Sequence, residues 1–182
     1  QVVLEGDQKT RLVPVATTNT QSYTLYLKAT DALNKRDYEA MGEAIGWLNQ
    51  AIALGPDFAR AHAQLAMVNV IGQVQYGASL SEAEKQARIA IALDPKLPDP
   101  YNALAFLARK QRRFVDARAT ADRALELAPD DASANLYDGQ LLIDTGYTPQ
   151  GIARLDRALV IDPMLPNALH LRALQYLFAC DT

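Results

Sequence analysis

The chain has 182 residues, of which 49% are hydrophobic, and a formal net charge of −3. This is enough apolar sequence for a buried core, whereas the small negative charge argues against general binding to nucleic acid or to an anionic membrane surface. The single cysteine, Cys180, excludes an internal disulfide and a cysteine-based zinc site.

The N-terminal stretch carries no targeting signal. It starts at Gln1, without a methionine, and it lacks the basic flank and apolar run of a signal peptide. No apolar stretch reaches the roughly 18 residues that a membrane span needs. We therefore expect a soluble fragment of a longer protein, in the cytoplasm rather than the periplasm.

Residues 1–19 are mixed and threonine-rich, which favours a linker or N-terminal extension. From residue 20 onward, apolar and small residues recur at i, i+4 and i+7, which is the spacing of one buried helix face. This pattern predicts helices and no strands, over residues 20–35, 38–54, 57–73, 80–93, 98–111, 114–127, 131–145, 149–161 and 166–179.

One short segment recurs four times, at the ends of the second, fourth, sixth and eighth predicted helices. It reads Ala, then Ile or Leu, any residue, Leu or Ile, any residue, Pro, and its prolines are 39, 34 and 34 residues apart. Proline cannot continue a helix and biases its predecessor out of the α region, so each one marks a boundary. These prolines are Pro56, Pro95, Pro129 and Pro163. Small residues lie twelve positions before and ten positions after them: Ala44, Ala83, Ala117 and Gly151, then Ala66, Ala105, Gly139 and Ala173.

Three predicted helix starts carry capping signals. Asp37 can cap the second helix, and Ser79 with Glu82 makes a capping box before the fourth. Thr148 can cap the eighth helix, because the proline that follows it suits the first helical position.

A helix–turn–helix period of 34 residues with these small and proline positions resembles the tetratricopeptide repeat (TPR). The third unit matches the family's signature positions best, with Tyr101, Leu104, Ala105, Ala117, Ala121, Ala124 and Pro129. The resemblance covers residues 20–179 and implies an all-α fold. That fold is an α-solenoid, a right-handed superhelix of about four helix hairpins plus one extra C-terminal helix. The TPR domain then spans 20–182, with units at 20–56, 57–95, 96–129 and 130–163 and a half unit at 164–182.

The chain departs from the family pattern in several units. The first unit has about three extra residues between its helices and the second has five. In the fourth unit, Asp138 stands where the family usually has leucine, so unusual packing is expected there.

A second resemblance rests on the run Thr18-Asn19, on Tyr23 and on Leu25-Tyr26-Leu27-Lys28, followed by the long first unit. These residues are similar to the TPR tails of bacterial nucleotide-cyclase or winged-helix regulator proteins. This similarity implies a bacterial source and a signalling role.

The sequence contains no recognisable catalytic constellation. Neither of the glycine motifs that cradle phosphates, GxGxxG and GxxxxGK[ST], occurs. His62 falls at a helix-packing position, which favours a structural histidine over a metal ligand, and His170 is expected at the surface. The aspartates that precede two prolines, Asp94 and Asp162, indicate turn chemistry. We therefore predict no enzyme activity, no metal site and no cofactor.

By resemblance, the first helix of each unit lines a concave groove that binds a protein or peptide. The groove positions of the family correspond here to Tyr23, Tyr26, Arg60, Met67, Asn102, Phe106, Arg109, Lys110, Leu136, Gln140 and His170, with Thr30, Ala63, Val70, Asp99, Ile143 and Leu174 beside them. Some family members hold a peptide carboxylate with Lys and Asn. Tyr26 and Thr30 occupy the corresponding first-unit positions here, which argues against a clamp of that kind.

Several alternatives stay open at this point. Phe106 and Met67 either line the groove or pack against neighbouring repeats. The basic cluster at residues 109–113 either complements a helix dipole or docks an acidic partner. The last helix is apolar on more than one face, which indicates either self-association or the truncation of a longer array.

The resemblance favours a non-catalytic scaffold for protein–protein interaction. The alternative is a regulatory or oligomerisation tail of a larger bacterial signalling protein, such as an adenylate cyclase or a transcriptional regulator.

Overall fold

The computed structural model describes residues 19–35, 38–76 and 79–180. This part of the chain is helical and contains no strand. Its helices are α1 (Thr20–Lys35), α2 (Tyr38–Leu54), α3 (Ala59–Tyr76), α4 (Leu80–Leu93), α5 (Asp99–Lys110), α6 (Phe114–Leu127), α7 (Ala132–Asp144), α8 (Thr148–Ile161) and α9 (Pro166–Cys180).

Consecutive helices pair as hairpins, and the hairpins stack. The most extensive contacts join α1 to α2, α3 to α4, α5 to α6 and α7 to α8. Smaller contacts join each hairpin to the next, including those between the first helices α3, α5 and α7. Because each hairpin packs against its neighbours in the chain, the fold is an α-solenoid, as predicted.

The turns between hairpins form at the recurring prolines. Helix α4 ends at Leu93, and Asp94 follows in an extended conformation, with its amide donating to the Ala90 carbonyl. The Asp94 carboxylate accepts a hydrogen bond of 3.0 Å from the amide of Lys96. Asp162 makes the same bond with the amide of Met164, so the turn chemistry predicted for these aspartates is confirmed.

The centre of each hairpin is built from small residues. Ala44, Ala83 and Ala117 are at most 1% exposed, and Gly151 is buried at the equivalent position of α8. At Gly139, an added Cβ would lie 2.9 Å from the Gly151 carbonyl oxygen, so α7 and α8 meet backbone to backbone. Small side chains therefore set the distance between paired helices.

The helix starts agree with the sequence signals in part. The Ser79 hydroxyl accepts from the Glu82 amide at 3.2 Å, which confirms the cap. Thr148 is the first residue of α8 rather than its cap, and Tyr147 precedes it without a side-chain bond. Helix α3 begins two residues later than predicted, because the Phe58 amide donates to the Gly55 carbonyl in a turn. Asp37 and the predicted linker at residues 1–18 lie outside the described residues.

Asp138 is accommodated by two arginines rather than by apolar packing. Its side chain is 1% exposed on α7, and its carboxylate lies 2.6 Å from Arg118 of α6 and 2.8 Å from Arg154 of α8. The unusual residue thus joins three consecutive helices through buried charge.

Candidate functional site

A cleft of about 880 Å³ runs along the face formed by the first helix of each hairpin. We call it the cleft and define it by the residues that line it. Helices α1, α3, α5, α7 and α9 all contribute, together with one residue of α2. The lining residues are Tyr26, Leu33, Met41, Arg60, Ala63, Gln64, Met67, Val68, Ile71, Leu97, Pro98, Asp99, Asn102, Ser133, Tyr137, Leu165, Pro166 and Asn167.

One part of the cleft is apolar. Leu33, Met41, Met67, Val68 and Ile71 come from α1, α2 and α3, and Ile71 is 41% exposed although its side chain is fully apolar. An isoleucine that is open to solvent within a concave surface offers apolar area to a ligand.

The other part of the cleft is polar and carries both signs of charge. Arg60 lies on α3, whereas Asp99 and Asn102 lie in the first turn of α5. The Asn102 amide donates to the carboxylate of Asp131 at 3.3 Å. Asp99 is exposed where α5 begins, but partial loss of hydration in the cleft raises the pKa of its carboxyl, and the negative charge of Asp131 adds to the rise.

Aromatic side chains flank these two parts. Tyr26 packs against Phe58 with ring centres 5.0 Å apart. Tyr137 stacks on Phe106 at 5.1 Å, and its hydroxyl donates to the Met67 sulfur at 3.5 Å. Burial raises the pKa of Tyr137 to about 12, with a further contribution from the charge of Asp131.

The basic cluster beside the cleft is used within the protein. Arg109 pairs with Asp144 of α7 at 2.6 Å, and the Lys110 ammonium donates to the Val70 carbonyl of α3 at 2.9 Å. Burial, and then the charge of Arg109, lower the pKa of Lys110. Arg113 pairs with Asp116 at 2.9 Å. These contacts support a structural role for the cluster.

Comparison with known proteins gives a consistent picture of the fold. No family model matches the chain, and no curated protein sequence matches it significantly. Solved structures do match. A thermophilic TPR protein of Thermus thermophilus is 17% identical with a TM-score of 0.69, and the match covers 85% of this chain and 82% of that one. The TPR domain of Arabidopsis OM64 is 19% identical with a TM-score of 0.57, covering 68% and 96%. PilW, a type IV pilus biogenesis factor, is 24% identical with a TM-score of 0.61, covering 82% and 66%.

The chain has the tetratricopeptide-repeat fold. The identity of these three structures to this chain, 24% or less, establishes the fold alone. Among the described helices of this TPR array, none has both the length and the apolarity that crossing a membrane requires.

The TPR array brings some of the predicted groove residues to the cleft. Tyr26, Arg60, Met67 and Asn102 line it, as do the neighbouring predictions Ala63 and Asp99. Their position beside the cleft makes them accessible to a ligand, and their role in binding stays a prediction.

Other predicted groove residues lie elsewhere. Tyr23 packs on Phe58 beside the cleft, with ring centres 6.3 Å apart. His170 is exposed on α9, outside the lining, and Gln140 is half-buried on α7. Leu136 is 2% exposed and packs against Leu155 in the core, so its side chain cannot serve as a groove contact. The helix turns this position inward, and the following residue, Tyr137, reaches the cleft instead.

A 34-residue offset would have found two lining residues that the sequence interpretation missed. Ser133 and Asn167 stand 34 and 68 positions after Asp99, and all three line the cleft. Because each hairpin repeats the geometry of the previous one, one confirmed lining position predicts its equivalents in later units.

His62 is a structural histidine in this TPR array. It is 4% exposed, with Nδ1 at 2.5 Å from the Gln86 amide oxygen and Nε2 at 3.0 Å from the Pro56 carbonyl. The ring therefore ties α3 to α4 and to the preceding turn. Within the described residues, no group of His, Cys, Asp and Glu is arranged to hold a metal ion.

Proposed function

We propose that this TPR array is a non-catalytic scaffold that binds a segment of another protein in the cleft. The observation that carries the proposal is the composition of the cleft wall, to which the first helices of all the hairpins and α9 contribute. A surface shared by so many consecutive helices suits an elongated ligand better than a small compact one.

The chemistry of the cleft supports the same proposal. Apolar side chains from α1 to α3 adjoin charged and amide side chains from α3 and α5, with tyrosines on both sides. Peptide-binding surfaces combine apolar area, aromatic groups and a few polar groups in this way.

The proposal is tested with a pair of matched substitutions. Ile71→Glu places a charge in the apolar part of the cleft, whereas Val115→Glu places one at a position of α6 that is 85% exposed and outside the cleft. In affinity capture with the full-length protein, we expect Ile71→Glu to lose a protein that both the wild type and Val115→Glu retain. Equal retention by both variants would contradict binding in the cleft, provided that their circular dichroism spectra match.

Self-association through α9 is a second candidate function. Leu169, Tyr176 and Leu177 are 45%, 62% and 66% exposed, which is unusual for large apolar side chains on one helix. We propose that these residues bury one another in a dimer. Sedimentation velocity should show a concentration-dependent dimer that Leu177→Lys abolishes, and a monomer at high concentration would rule the dimer out.

Two further inferences stay predictions. The chain is expected to have no catalytic turnover, and the alternative of a regulatory tail in a bacterial signalling protein can be tested by reading the gene upstream of Gln1. A cyclase or winged-helix domain there would favour the tail over a free scaffold.

A further inference from the structure

We propose that the segment bound in the cleft carries one acidic and one basic side chain, which pair with Arg60 and Asp99, next to apolar side chains. This inference rests on the proposed function and specifies the chemistry of the ligand. It follows from the ion pairs of the protein, from the position of the two unpaired charges and from the apolar residues beside them.

Arg60 differs from the other arginines that the structure describes. All of them except Arg60 and Arg112 form an ion pair with a carboxylate of the described chain. Arg112 lies in an exposed turn and stacks on Phe114 with its guanidinium carbon 5.7 Å from the ring centre. Arg60, in contrast, is half-buried and lines the cleft. Its guanidinium is therefore available for a carboxylate supplied by a ligand.

Asp99 is the anionic counterpart on the next first helix. It makes no ion pair within the described residues, although it lines the same cleft as Arg60. Its neighbour Asp131 is already engaged, because it caps α7 by accepting from the Ala134 amide at 2.6 Å and also accepts from Asn102. Two carboxylates thus share this end of the cleft without a cation, and a basic side chain of a ligand would balance them.

The position of Asp99 in the first turn of α5 has a simpler explanation, which is favourable interaction with the helix dipole. That explanation accounts for an acidic residue at position 99, but it does not account for an unpaired arginine facing the same cleft. The two charges together therefore indicate a ligand with both signs of charge.

The apolar part of the cleft completes the description of the ligand. Met67, Val68 and Ile71 continue the wall of α3 from Arg60, one to three helical turns further along. A bound segment that pairs with Arg60 and Asp99 would place its apolar side chains against these residues. The ligand is therefore an amphipathic protein segment rather than a uniformly acidic or basic one.

The experiment uses a phage-displayed library of random 12-residue peptides, selected against the wild-type chain and against the double variant Arg60→Glu/Asp99→Lys, which has the same net charge. We expect wild-type selections to enrich peptides with an acidic and a basic residue at fixed spacing. The double variant should bind the best wild-type peptide at least tenfold more weakly. It should regain affinity for a synthetic peptide in which those two charges are exchanged.

Matched controls separate this inference from the proposed function. Asp57→Lys and Lys96→Glu change exposed charges in the turns outside the cleft, and together they should leave the affinity unchanged. Peptides that are enriched without a charge preference, or that bind the double variant as tightly as the wild type, would overturn the inference but support a peptide-binding cleft. If no peptide is enriched on any variant, the proposed function itself fails.

Discussion

Two glycines determine how closely the fourth hairpin packs. An added Cβ at Gly139 would lie 2.9 Å from the Gly151 carbonyl oxygen, whereas at Gly46 of α2 nothing lies within 4 Å of an added Cβ. The same substitution should therefore have opposite effects at Gly139 and Gly46. Steric exclusion decides the first case and backbone entropy decides the second.

We expect Gly139→Ala to lower the free energy of unfolding by about 1–3 kcal/mol, because the helices must separate. Gly46→Ala should raise it by about 0.5–1 kcal/mol, because alanine loses less backbone entropy in a helix. Urea denaturation followed by circular dichroism measures both. A stabilising effect at Gly139 would mean that α7 and α8 lie further apart than the structure shows.

Asp138 gives a second prediction for single residues. Its buried carboxylate depends on Arg118 and Arg154, and removing both partners leaves a buried charge without compensation. Arg118→Ala/Arg154→Ala should therefore cost about 3–5 kcal/mol of unfolding free energy. Adding Asp138→Leu should restore most of the loss, because leucine is the usual residue of the repeat and needs no counter-ion. A triple variant no more stable than the double variant would refute this account.

The sequence could not indicate this ion cluster. The substitution of a leucine position by Asp138 is visible in the repeat pattern, but its partners lie 20 residues before and 16 residues after it on other helices. The side chains that reach a buried site depend on how the hairpins stack. A similar limit applies to Arg112, which adopts φ 59° at the position where the next unit has Gly146 with φ 90°.

The helices themselves were largely predictable from the sequence. Each recurring proline marks a helix end, and periodic small residues mark the face on which the second helix of each hairpin packs. The observed helices agree with the predicted ones to within one or two residues at most ends, and α3 extends three residues beyond its predicted end. The start of α3 was missed because the turn at Gly55–Phe58 has apolar residues that resemble a helical first turn.

The contact between α5 and α7 gives a prediction for alkaline conditions. The pKa of Tyr137 is about 12 in the folded chain, above the value near 10 of an unfolded tyrosine. The stabilisation is therefore fully present below pH 10 and is lost as the pH rises toward 12, by at most about 1.4 kcal/mol per pH unit.

Tyr137→Phe keeps the ring that stacks on Phe106 but removes the titrating hydroxyl. Its unfolding free energy should consequently fall less steeply than that of the wild type between pH 9 and 11. Parallel urea titrations across this range measure the difference. Identical slopes would show that the Tyr137 hydroxyl is hydrated in the folded chain.

At the scale of the whole molecule, the solenoid was predictable and the cleft was predictable only in part. The 34-residue period identifies equivalent positions such as Asp99 and Ser133. Which of them face inward depends on the rotation of each helix, and Leu136 shows that one residue of error exchanges a core position for a cleft position. The contribution of Pro166 and Asn167 from α9 also depends on the curvature of the whole array.

The ends of the array should be less stable than its middle. Helix α9 packs chiefly on α8, whereas α5 contacts the helices of the units on both sides. Hydrogen exchange followed by mass spectrometry should therefore show amide protection in α9 lower than in α5 by roughly tenfold or more. Equal protection would mean that another surface covers α9, which the dimer proposed above would supply.

The shared wall of the cleft has one more consequence. In the empty chain, the first and last hairpins communicate only through a series of adjacent contacts, like links in a chain. A ligand lying along the cleft would touch α1 and α9 at once and so connect parts of the protein that are otherwise remote. The occupied array should then lose its gradual fraying and melt in a single sharper step, with its two extremities held in a fixed relation.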